Sequence, residues 1–192
     1  MLKKLAGPLL TAFFLAGCMS KDTVLIINPK IQLPPGDHSF RRETVTITGV
    51  DRRTESSIAK LNFDGHLITY SASRDLRYLL REALEKQMEA RGYLIGPRSQ
   101  INLQIVINKL YANVTQGNLR YTITTNANVA IIATSKNGKK QIKNYRQTYS
   151  EEGVFAVTNE KITNAVNTTL SGIITDMALD TSFEDFIKQN AR

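Results

Sequence analysis

The residue with the most definite chemistry is the chain's one cysteine, Cys18. It closes the run Leu15-Ala16-Gly17-Cys18, behind a thirteen-residue, mostly apolar stretch from Leu5 to Gly17 and the positive pair Lys3 and Lys4. That layout has the pattern of a lipobox. The small residues let a signal peptidase approach, the thiol takes an S-diacylglycerol, and the N-terminus exposed by cleavage takes an N-acyl chain. The apolar stretch is too short to cross a hydrocarbon core of roughly 30 Å, which needs about 20 helical residues. Residues 1–17 are therefore read as a removable signal peptide, and a lone thiol rules out a disulfide framework.

The other reactive side chains assemble into little. His38 and His66 have neither metal-ligand spacing nor a nucleophile elbow nearby, so no metal, cofactor or catalytic triad is expected. No glycine-rich loop joins a strand to a helix, so no phosphate cradle is expected. Asp51-Arg52-Arg53 follows a strand. An Asp-x-Arg there can take an anion, but an ion pair with a carboxylate that caps the turn is the leading reading. Glu151 and Glu152 are adjacent, and adjacent residues on a strand face opposite ways, which makes them poor partners for glycan hydrolysis. The expectation is a chain that is not an enzyme and has no catalytic residues.

The elements around these residues follow from periodicity. Residues 18–42 contain Pro29, Pro34, Pro35 and Gly36 with one β-prone run, Val24 to Ile27, and read as a lipidated N-terminus and tether with at most one edge strand. Val45 and Ile47 alternate with threonines and predict a strand that stops at Gly49. Ile58–Phe63 and Leu67–Tyr70 flank the turn pair Asp64-Gly65. Arg74 to Arg91 is an amphipathic helix with Leu76, Leu80, Ala83, Leu84 and Met88 on one face, Ser73 as its cap and Gly92 beyond its end.

Three strands follow. Ile101, Leu103, Ile105 and Ile107 change phase to Leu110, Ala112 and Val114, which predicts a β-bulge near Asn108 or Lys109. Leu119, Tyr121, Ile123, Ala127, Val129, Ile131 and Ala133 continue the apolar face. At Lys136-Asn137-Gly138, a three-residue loop with Gly138 left-handed places Tyr145 and Tyr149 with the core. A two-residue turn would bury Ile142 instead, and two tyrosines hide more area. Lys139, Lys140, Lys143 and Arg146 mark a charged edge. A second helix runs from about Asn159 to Ala178 with Ile162, Val166, Leu170, Ile173 and Met177 inward. Ser182-Phe183-Glu184-Asp185 resembles a capping box for a short last helix. The expected fold is α+β: a two-layer sandwich in which an antiparallel or mixed sheet carries both long helices on one face, with residues 43–192 as a single domain.

Two surfaces stand out. Between Lys161 and Asp176 the second helix carries no charge on its outer face, only residues such as Asn164, Asn167, Thr168 and Ser171. The tether or tail covers that face, or a partner or a second copy does. The other surface is the basic strand of Lys139, Lys140, Lys143 and Arg146. The formal charge of +8 falls to +6 once Lys3 and Lys4 leave. Nucleic acid is not expected as a partner, because a periplasm-facing lipoprotein lies outside the compartments that hold it.

The motifs LAGC at 15–18, SASRDLRYLLREALEKQMEARGY at 71–93, NLQI at 102–105, AIIAT at 130–134, KNYR at 143–146 and FIKQNAR at 186–192 resemble the YajG family of bacterial lipoproteins. The resemblance covers essentially the whole chain. It implies an outer-membrane lipoprotein of enteric-type bacteria and supplies no site residue beyond Cys18. Met19 fits that location, since Asp after the lipidated cysteine is the inner-membrane retention signal. The expected role is a periplasm-facing, non-catalytic binding or scaffold module, held to the membrane by its lipids and meeting an envelope protein or an anionic envelope polymer. A lipid- or amphiphile-handling auxiliary is the alternative, and a peptidoglycan-acting hydrolase a weaker one.

Overall fold

The computed structural model describes residues 21–35 and 43–191. Residues 1–17, expected to be a signal peptide, and Cys18, Met19 and His38 lie outside the described residues. The elements are β1 (Lys21–Leu25), β2 (Thr44–Asp51), β3 (Ala59–Phe63), β4 (His66–Ala72), α1 (Leu76–Ala90), β5 (Leu94–Ile95), β6 (Ile101–Gln116), β7 (Arg120–Ser135), β8 (Lys140–Val154), α2 (Asn159–Leu179) and α3 (Ser182–Asn190). They form the expected two-layer α+β sandwich, with both long helices on one face of a mixed eight-stranded sheet.

β6 is the spine. Its inner residues Ile101, Leu103, Ile105 and Ile107 are fully buried, and the register shifts between Ile107 and Lys109, so that Leu110 and Ala112 resume the inward face. The bulge lies where the phase change placed it. On one side β6 carries the whole of β7, which in turn pairs with β8. On its other side two strands succeed one another. β2 runs parallel to it from Val45 opposite Ile101 to Asp51 opposite Ile107, and β3 joins farther on, with Ala59 opposite Ala112. The β3–β4 hairpin turns through Asp64 and Gly65, both at positive φ, as its turn pair requires.

The β7–β8 turn also follows the reading that buries the tyrosines. Gly138 is left-handed, the Ser135 N–H donates to the Lys139 carbonyl at 2.9 Å, and Tyr145 lies opposite Val129 while Ile142 stays exposed.

Four local expectations are corrected. The strand at Val45 does not stop at Gly49 but continues to Asp51. The glycine serves a close approach instead, because a Cβ there would sit 2.6 Å from the Arg77 carbonyl oxygen of α1. The cap of α1 is Asp75, not Ser73, and its carboxylate accepts from the Arg77 N–H at 2.8 Å. At α3 the N-cap Thr181 makes no side-chain cap bond, and Asp180 takes the Ser182 N–H at 2.8 Å. Leu119 lies in the β6–β7 turn, exposed, rather than on the apolar face.

The tether supplies the one edge strand that its pattern allowed. Over its described residues it is folded onto the domain. β1 adds to the sheet parallel to β4, from Lys21 opposite Ile68 to Leu25 opposite Ala72. Leu25 and Ile27 are buried in the core while Val24 and Ile26 point out, a period-two pattern that burial enforces despite the prolines that follow.

Candidate functional site

The chain beyond β1 runs along α2. The Asn28 N–H donates to Asn167 Oδ1 at 2.9 Å and the Lys30 N–H to Ser171 Oγ at 2.9 Å. Gln87 of α1, fully buried, donates from Nε2 to the Gln32 carbonyl at 2.9 Å and to the Ile174 carbonyl at 2.8 Å, tying this segment to both helices. Asn167 and Ser171 are thus engaged by the chain's own N-terminal segment. Asn164 and Thr168, on the same helix, remain exposed. An uncharged face suits this role, since small polar side chains can accept from a backbone laid over them without burying a charge.

The basic strand is divided by its own period of two. Lys143 lies opposite Ile131 on the helix side and reaches Asp180 Oδ2 at 3.9 Å. Lys140 and Arg146, opposite Thr134 and Asn128, are exposed on the other face, which carries no helix, and Lys139 sits in the turn. The four cations are therefore not one patch. Lys140 instead joins residues that the charge run does not include. Two adjoining clefts, of about 670 and 410 Å³, share Pro97, Ser99, Gln100 and Lys136. Arg98 and Glu43 line the first, Lys140, Asn102 and Thr134 the second. The Pro97–Gln100 loop is pinned there by Thr46, whose hydroxyl donates to the Gly96 carbonyl at 2.6 Å and lies 2.8 Å from Ser99 Oγ, and by the Lys136 N–H on the Gln100 carbonyl at 2.8 Å. Arg98 and Lys136 are far apart in sequence. Only the β2–β6–β7 register brings them together, so no local motif signals the pair.

A third cleft, of about 480 Å³, opens where β2 has left β6 and β3 has not yet joined it, lined by Arg53, Glu55, Ser57, Lys60 and the bulge residues Asn108 to Tyr111. Asp51 and Arg53 form a fork there, with Arg53 Nε 3.0 Å from Oδ1 and Nη2 2.8 Å from Oδ2. The Arg53 N–H also bonds Oδ1 at 3.0 Å, so Asp51 caps its turn, as the leading reading of that motif had it. Burial raises the proton affinity of Asp51, but the bonds and charge of Arg53 outweigh it and hold the carboxyl below its ordinary range. The same holds for Asp75, lowered chiefly by Arg77, for Glu55, lowered by Lys60, and for Glu82, lowered by Lys86 and Arg74. Glu151 turns to the helix side, where Tyr121 donates to it at 3.1 Å and Lys161 lies 3.3 Å away, while Glu152 faces the opposite way. Among the described residues no cluster of three metal-ligating side chains forms.

A mixed half-barrel sheet bearing two long helices on one side, with its N-terminal strand at the edge, defines a class of small two-layer α+β domains. A family model described as uncharacterized lipoprotein matches residues 29–188, and the chain belongs to that family. It is 52% identical over 192 residues, all of both chains, to the uncharacterized lipoprotein YajG of Escherichia coli K12. Among solved structures, protein XCC0632 from Xanthomonas campestris shares the fold with a TM-score of 0.61 at 11% identity, covering 85% of this chain and 98% of that one. A homolog of neuraminyllactose-binding hemagglutinin from Helicobacter pylori has a TM-score of 0.51 at 9% identity, covering 87% and 97%.

Proposed function

We propose that this lipoprotein is acylated at Cys18, resides in the outer membrane facing the periplasm, and serves as a non-catalytic binding or scaffold module for an anionic component of the envelope. The observation that carries the reading is the cleft pair at the start of β6, where Arg98, Lys136 and Lys140 surround a polar floor of Ser99, Gln100 and Asn102. Among the described residues, three cations against the carboxylate of Glu43 favour an anionic group with hydroxyls or amides beside it.

The direction of the shifts speaks against five of the carboxyls as a glycan-cleaving general acid. A glycan-cleaving general acid needs a raised proton affinity, whereas Asp51, Glu55, Asp75, Glu82 and Asp180 are all held low. The larger clefts are lined by loops and strand ends rather than by the interface between sheet and helices, where side chains such as Ile105, Ile123, Ile162 and Leu170 are fully buried. That arrangement gives the amphiphile-handling reading no support.

Photo-crosslinkers placed in cells at Lys136, Lys140 and, for comparison, Asn164 test the proposal. Adducts to one envelope component from the first two positions, lost in a K136E/K140E background, are expected. Adducts from Asn164 alone would overturn the assignment.

A further inference from the structure

Apolar side chains scattered singly over a surface are ordinary, but five exposed ones gather at one end of this sheet. Leu119 and Phe155 are each 72% exposed, and Phe63, Leu67 and Val154 are exposed beside them. The register places them together. Phe63 pairs with His66 at the hairpin tip, and Lys60 opposite Asn113 brings that tip toward the C-terminal end of β6. Arg120 opposite Val154 brings the end of β8 to the β6–β7 turn. A cleft lined by Phe63 and Asp64 on one wall and by Gly117, Asn118 and Ala156 on the other shows that the two groups face each other.

The backbone presents this group at a cost. Phe155 has φ +67°, a conformation that bulky L-residues rarely adopt. Three hydrogen bonds hold it: Phe155 N–H to the Leu119 carbonyl at 2.9 Å, Gln116 Nε2 to the Phe155 carbonyl at 3.2 Å, and Val157 N–H to Gln116 Oε1 at 2.7 Å. The side chain so fixed is left in the open.

The same end is where the chain leads to its lipid. β1 runs parallel to β4 with Lys21 opposite Ile68, so the N-terminal end of β1 lies on the side of Leu67 and His66. Cys18 is three residues earlier, a span of at most about 10 Å. On so short a leash this end faces the membrane.

We propose that this end is the membrane-seating face: Phe155 and Leu119, flanked by Phe63, Leu67 and Val154, lie in the interfacial layer of the bilayer that holds the Cys18 lipids. The inference rests on acylation of Cys18. Aromatic and leucine side chains at the headgroup boundary gain by leaving water without needing a deep pocket. The lipids already attach the protein, so the face sets orientation rather than affinity. It directs the Arg98 and Lys136 cleft outward, about 50 Å away along β6.

The chain has no Trp, so F155W introduces a single reporter, with L119W as a second. L94W, exposed and paired with Thr44 at the opposite end, is the comparison. Each acylated protein is reconstituted into vesicles of phosphatidylethanolamine and phosphatidylglycerol with brominated acyl chains. Emission from F155W and L119W is expected to shift to the blue and to be quenched, and that from L94W to do neither. Vesicle flotation and the mass of the N-terminal peptide report the anchor separately. An acylated, floating protein whose F155W and L119W emit like L94W overturns the seating face and leaves the anchor standing. A blue shift without quenching overturns it in favour of a protein contact, and an unmodified Cys18 overturns both readings.

Discussion

Asn28 and Asn167, 139 residues apart, are joined by a 2.9 Å hydrogen bond from the backbone N–H of one to the side-chain oxygen of the other. That bond helps account for a helix face without charge: over Asn167 and Ser171 the chain's own N-terminal segment lies on it. Asn167→Ala together with Ser171→Ala removes both acceptors, at about 0.5–1.5 kcal/mol for each bond. Amide hydrogen exchange is expected to quicken at Asn28 and Lys30 while β7 amides such as Val129 keep their protection. Equal loss of protection throughout the sheet would show that the segment is not a separable layer.

Arg91 ends α1 yet serves α2. Its guanidinium is nearly buried, with Nε 3.0 Å from Glu184 Oε1 and Nη2 donating to the carbonyls of Ala178 at 2.7 Å and Asp180 at 3.1 Å. These are carbonyls at the end of α2, at the negative pole of its dipole. Arg91→Ala is expected to cost about 3–5 kcal/mol in urea unfolding, since it leaves buried acceptors and a carboxylate behind. Arg91→Lys keeps the charge but not the fork, and recovers only part of the loss. A lysine variant as stable as the parent would show that charge alone matters.

Gly49→Ala forces a methyl group against the Arg77 carbonyl of α1, 2.6 Å from where the Cβ must go. Neither side of that contact is a flexible side-chain end, so α1 must lift from β2, at about 1–3 kcal/mol. The unfolding midpoint is the measurement. An unchanged midpoint would mean that the helix slides freely on the strand.

Acid should weaken the domain through carboxyls such as Asp180. Burial pulls its proton affinity up, but bonds from Ser182 and Tyr145 and the charge of Lys143 bring it below the ordinary value. A folded-state value below the unfolded one near 3.9 means that the stabilisation is complete above roughly pH 5 and is lost as pH falls through the folded value. Asp180→Asn is therefore expected to unfold more easily than the parent at neutral pH, and the gap should narrow in acid. A gap independent of pH would assign the effect to packing.

Local periodicity carried much of the architecture. The bulge at Ile107/Lys109 and the burial of Tyr145 opposite Val129 were legible because a period of two leaves only one consistent inward face. The parallel partners of β1, β2 and β3 were not, because alternation says which side of a strand is wet and nothing about its neighbour. The N-terminal segment allowed one edge strand, and Leu25 and Ile27 alternate with Val24 and Ile26 as a docked strand should, but Pro29, Pro34 and Pro35 left open whether the rest covers α2. For the candidate site, the run from Lys139 to Arg146 showed the right charge in the wrong grouping, because consecutive strand positions diverge. Arg98 meets Lys136 only after β6 and β7 have paired.

The two strands that succeed each other along one side of β6 bear on how the chain reaches this state. β6, β7 and β8 are joined by short turns and can zip from nearby ends, whereas Val45 must find Ile101 and Ala59 must find Ala112 across more than fifty residues. Closing such loops precedes any reward from them. The meander is accordingly the template on which the earlier strands register, and a defect in its bulge would be felt first as slow or misregistered docking of residues far upstream.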